Sequence, residues 1–96
     1  MLVSVFVAHL LAAHLSVPEL VTVQYAELRH DRVAQIEKVG RGWVMTIDKD
    51  KWHGSGWVVA HELCHAAYDD RYSTTAIETR ANKCADQVIR DHMEGR

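Results

Sequence analysis

Several things are scarce in this 96-residue sequence, and each scarcity narrows its reading. Proline occurs once, at Pro18, and no Pro-, Gly- or Ser-rich linker, internal repeat or low-complexity segment interrupts the chain. A single domain over residues 1–96 is therefore expected, with room for one modest core. Cysteine occurs twice, at Cys64 and Cys84, too few for a disulfide framework. The expectation is two small buried apolar residues in a reducing compartment, able to pair only if the chain is exported. No Lys or Arg precedes Arg29, so the apolar opening "MLVSVFVAHLLAAHLSVP" lacks the basic start of a signal peptide. Ser4, His9, His14 and Ser16 break it up, leaving no run long enough to span a bilayer. Neither sign of charge dominates: 11 Lys and Arg face 13 Asp and Glu, for a net charge of -2. No segment gathers the cations, so neither direct nucleic-acid binding nor membrane association is expected. A cytoplasmic protein is expected.

What is present reads as an α+β domain. Val3, Val7, Leu11 and Leu15 fall on one helical stripe, which predicts an amphipathic helix over residues 3–16 that stops before Pro18. "LVTVQY" and "RVAQIEKV" are strand-like. "GRG" at 40–42 supplies turn chemistry, and "WVMTIDK" alternates, with Trp43, Met45 and Ile47 on one face and Val44, Thr46 and Asp48 on the other. These segments predict a small antiparallel sheet containing a hairpin. Ser55 is a suitable N-cap for a helix carrying Trp57 to Tyr68, and a further helix is expected from Thr75 to Met93.

The first of these two helices carries the chemistry. "GWVVAHELCHAAYDD" puts His61 and His65 four residues apart, with Glu62 between them. Residues i and i+4 share a helix face, so both imidazoles can reach one point. Zinc accepts imidazole nitrogen in a tetrahedral shell. Glu62, turned about 100° from His61 by the helical repeat, can flank the metal without ligating it. This is the HExxH arrangement of metallopeptidases. Two histidines and a glutamate in an apolar run cost solvation free energy unless something pairs them.

A catalytic zinc needs a third protein ligand and an open position. The extended pattern HExxHxxGxxH is excluded, because Tyr68 and Arg71 stand where it requires glycine and histidine. Asp69 and Asp70 follow too closely on the same helix to swing back onto the metal. Glu78, in the first turns of the next helix, would be brought beside His61 and His65 by an antiparallel helix hairpin. His92 is the alternative third ligand. Asn82, one turn beyond Glu78, is either a surface residue or the acceptor for the free ring N–H of a ligand histidine. Tyr68, Tyr72, His53 and His92 are candidates to stabilise an oxyanion; Tyr68 is expected in the core, and Tyr72, in a loop, is the better placed.

"VVAHELCHAAYDD" followed by "IETRANKCADQVI" resembles the ImmA/IrrE zinc metallopeptidases, a family often encoded by phages and mobile elements. The likeness lies in an "AHELGH" helix and an "E-x-x-A-N-x-F-A" helix, and covers roughly residues 43 to 89. It implies His61, His65 and Glu78 as zinc ligands and Glu62 as the catalytic acid/base. It also implies a protein or peptide substrate, such as a transcriptional repressor or other regulatory protein. Cys64 stands where the family usually has glycine, and Cys84 where it has phenylalanine. The expected activity is zinc-dependent endopeptidase. The competing expectations are a non-enzymatic, zinc-stabilised protein-binding module and a peptidase of a phage particle.

Overall fold

The structure, a computed structural model, describes residues 21–93. The helix expected over residues 3–16 lies outside them. Three strands are followed by two helices: β1 (Val21–Tyr25), β2 (Ala34–Val39), β3 (Gly42–Ile47), α1 (Gly56–Ala67) and α2 (Thr75–Met93). The domain is α+β, as its patterning implies. Among the described residues no helix is long and apolar enough to cross a membrane.

The sheet order is β1-β3-β2. β2 and β3 form the expected hairpin, with Val39 opposite Gly42 and Ala34 opposite Ile47. Gly40 opens its two-residue turn at φ +61°, in the left-handed region where a side chain costs free energy and glycine does not. The sheet is mixed rather than antiparallel. β1 runs parallel to β3, with Val21 opposite Trp43 and Tyr25 opposite Ile47. β3 is thus central, which explains its burial. Trp43, Met45 and Ile47 form the core face as their alternation predicts, but Thr46 and Asp48 on the other side are buried too. Thr46 accepts a hydrogen bond from Gln24 Nε2 of β1 at 3.0 Å.

α1 packs between the sheet and α2. Val59, Ala60, Leu63 and Cys64 of α1 join Trp43, Met45 and Ile47 of β3 and Ala81, Ala85 and Val88 of α2 in one buried core. Ser55 is the N-cap, its hydroxyl accepting from Val58 N at 3.3 Å. Thr74 does the same for α2, accepting from Ile77 N at 3.2 Å. The end of α1 is a Schellman turn. Asp69 takes a left-handed φ of 55°, its N–H bonds Ala66 O at 3.0 Å, and Asp70 N–H bonds His65 O at 2.8 Å. The chain therefore doubles back at Asp70.

Cys64 and Cys84 are joined in a disulfide with a Cα separation of 6.1 Å. This corrects the expectation of two separate thiols: side chains on facing helices meet although 20 residues part them in sequence. Closing a loop of that size contributes about 3 kcal/mol on a chain-entropy argument. The expected reducing setting rested on unpaired thiols, and the pairing removes that part of the support for a cytoplasmic location. Trp57 Nε1 adds a second tie between the helices, donating to Asp86 Oδ1 at 2.7 Å.

Candidate metal centre

The helix hairpin brings together the three residues expected as ligands. His61 and His65 lie one turn apart on α1, and Glu78 lies in the first turn of α2. His61 Nε2 is 3.1 Å from His65 Nε2 and 3.1 Å from Glu78 Oε1, while His65 Nε2 is 3.3 Å from Glu78 Oε2. With metal–ligand bonds of about 2.0–2.1 Å, a tetrahedral zinc holds its ligand atoms about 3.3 Å apart. The two imidazole nitrogens are spaced close to such an edge, and each meets a different oxygen of the Glu78 carboxylate at a similar distance; one ligand atom from each of the three residues lies within 4.8 Å of the other two. Two imidazole nitrogens and a carboxylate are also a donor set that zinc accepts. The residues fit the metal that their sequence pattern implies.

Electrostatics separates the carboxylates. Partial burial pushes Glu78 up, but the Ser73 hydroxyl, donating at 3.0 Å, and the two histidines together outweigh it and hold the carboxyl below its ordinary value. Glu78 is thereby ionised and fit to ligate at neutral pH. Glu62 goes the other way. Partial burial raises its pKa from 4.5 to about 7; the charge of His65 opposes the rise, that of Glu78 adds to it, and that of Arg32 opposes it least. A carboxyl poised near neutrality matches the demand on a general base at physiological pH.

Glu62, His65 and Glu78 line a groove of about 600 Å³ together with β2 residues such as Ile36 and with Arg32 just before that strand. β2 has a strand neighbour on one side among the described residues, so its other edge faces this groove.

The remaining sequence candidates are distributed unevenly. Tyr72 stands at the groove mouth, 80% exposed. His53 is exposed outside the groove, and the side chain of His92 lies outside the described residues. Tyr68 is not a core residue. It caps α1 with its ring half exposed, and the Arg80 guanidinium stacks on it, 4.2 Å from the ring centroid. Asn82 is exposed on α2 and bonds neither histidine. The residue that does so is Asp70, whose Oδ2 is 3.1 Å from His65 Nδ1. The helical reading of Asp69 and Asp70 missed this because α1 ends at Ala67. An Asp followed by another Asp just past a helix is the available signal, since Asp tolerates the left-handed conformation that turns the chain back. For His61, Nδ1 is buried without a hydrogen-bond partner, and its ring lies 5.2 Å from the ring of Trp57.

No family model, no curated protein and no solved structure matches the chain.

Proposed function

We propose that this chain is a zinc-dependent endopeptidase of the HExxH type with a glutamate as third ligand, akin to the ImmA/IrrE metallopeptidases that its two helix motifs resemble. The observation that carries the reading is the convergence of His61 Nε2, His65 Nε2 and the two Glu78 carboxylate oxygens at 3.1–3.3 Å, beside a partly buried Glu62 carboxyl raised to about 7. A site serving only to stabilise the fold has no use for such a carboxyl.

His61, His65 and Glu78 would hold the zinc. When bound, the metal supplies a water of lowered pKa and a Lewis acid for the scissile carbonyl. Glu62 takes the proton of the attacking water and delivers it to the amide nitrogen that leaves. Among the described residues β2 pairs with β3 on one side alone, and the groove along it has room for an extended peptide substrate, which supports a peptide as the substrate. By the same family likeness, the substrate class is a transcriptional repressor or another regulatory protein.

Elemental analysis of the purified chain tests the reading. One zinc per chain is expected, and His61→Ala should abolish stoichiometric zinc. A His61→Ala protein that still holds one tightly bound zinc overturns the ligand assignment. Activity is scored against mixed peptide libraries. Hydrolysis by the parent and not by Glu62→Gln supports an enzyme; a common bound partner that neither protein cleaves supports the binding module instead.

A further inference from the structure

We propose that Asp70 is the positioning residue of the metal centre, fixing His65 as the anchored ligand, and that Arg80 in turn fixes Asp70. The proposal rests on the metal-binding part of the reading above and adds two residues to it.

The case begins with the two histidines, which are held in different ways. His65 is tied by a polar contact: Nδ1 meets Asp70 Oδ2 at 3.1 Å, and their side chains are 10% and 6% exposed. A carboxylate only accepts, so the shared hydrogen sits on Nδ1. That choice of tautomer leaves the Nε2 lone pair directed at His61 and Glu78, where a metal ligand needs it. His61 has no such tie; its Nδ1 is without a partner and its ring is steadied by Trp57. The centre therefore has one oriented imidazole and one packed imidazole.

Asp70 is itself constrained from two sides. Its backbone is fixed by the Schellman turn, through the bond from its N–H to His65 O at 2.8 Å. The same residue thus touches His65 at the backbone and at the ring. Its other carboxylate oxygen is bound by Arg80 Nη2 on α2. Arg80 lies two residues after Glu78 on that helix and stacks on Tyr68, the cap of α1. A buried carboxylate with one oxygen on the ligand and the other on a guanidinium is held in a single orientation. The chain Tyr68–Arg80–Asp70–His65 links the end of α1 to the start of α2, so it sets the ring of His65 relative to the helix that carries Glu78.

Chelator competition for Zn²⁺ on the full folded chain tests the proposal, read beside thermal unfolding of the metal-free protein. Asp70→Ala should weaken zinc binding about 10- to 100-fold. Arg80→Gln should weaken it in the same direction by less, since Asp70 keeps its turn and its bond to His65. Val88→Ala serves as the control: it removes buried volume on α2 and should lower the melting temperature without changing zinc affinity. A purely structural Asp70 would behave like Val88. If Asp70→Ala does not fold, Asp70→Asn decides, because it keeps the size and one acceptor but lacks the charge that anchors Arg80 and polarises His65. An affinity within about twofold of the parent in a folded Asp70 variant overturns the proposal. A parent chain that binds no zinc overturns the metal reading itself, a result distinct from equal binding by parent and variant.

Discussion

Asp48 and Glu62 are carboxylates wholly and partly withdrawn from solvent in the same small domain, and their surroundings treat them in opposite ways. Asp48, 3% exposed, sits where β3 runs into the loop before α1. Leu28 N donates to it at 2.9 Å, Asp50 N at 3.1 Å and Lys51 N at 3.4 Å, with Lys51 Nζ at 3.5 Å. The Leu28 bond foremost, then those from Asp50 and Lys51, depress its pKa against the opposing effect of burial. Lys51 Nζ also reaches Leu28 O at 2.7 Å, so the cluster pins the loop after β1 to the loop before α1. Glu62 has no such donors, and burial carries it up to about 7. A carboxylate surrounded by backbone N–H groups is a structural fastener and gives up its basicity. One left bare beside a groove keeps its basicity at a cost in stability.

The largest expected effect lies on the Glu62 side and is one of rate. Glu62→Gln retains shape but removes the base, so peptide hydrolysis should fall by about 10²- to 10⁴-fold while zinc content is unchanged. Cleavage at the parental rate would break the contrast, because Glu62 would then be no more chemical than Asp48.

On the other side, Asp48→Ala should lower the melting temperature more than Glu62→Gln does. Its loss leaves the Leu28, Asp50 and Lys51 donors facing an apolar methyl. If the two substitutions lower the melting temperature equally, the fastener is no fastener.

Acid and base should separate the pair in the metal-free protein. The folded pKa of Glu62 is raised, so its contribution to stability is full below about 4.5 and lost as pH rises through about 7. The loss is at most about 3 kcal/mol, and Glu62→Gln should flatten that part of the curve. Asp48 has a depressed pKa, so its contribution is present above 3.8 and is lost as pH falls through the folded value. Denaturant titrations from pH 3 to 8 read both; a parental slope between pH 4.5 and 7 that survives Glu62→Gln assigns that slope to another group.

Glu78 sits between these extremes, and it offers the smallest effect. Ser73→Ala removes the hydroxyl that donates to Glu78 at 3.0 Å. One hydrogen bond of about 0.5–1.5 kcal/mol converts to a roughly 2- to 10-fold loss of zinc affinity. No change in a chelator titration would leave the histidines as the chief influence on Glu78.

Local periodicity and capping were legible in the chain itself. The four-residue spacing of His61 and His65 becomes a shared face wherever a helix forms, and Ser55 marks where α1 starts. The alternation of Trp43, Met45 and Ile47 names the core face of β3, and a short loop between two helices brings Glu78 to the histidines. These follow from interactions within a few residues or from a turn that leaves little choice. Other features depend on contacts between distant segments. The parallel pairing of β1 buries Thr46, Cys64 meets Cys84, and Asp70 reaches His65 only because Asp69 turns the chain back at the end of α1. The opposite fates of Asp48 and Glu62 belong with these. Sequence names both as acids, but the pKa of a carboxyl depends on which donors and how much water the folded chain leaves around it, and only tertiary structure decides that.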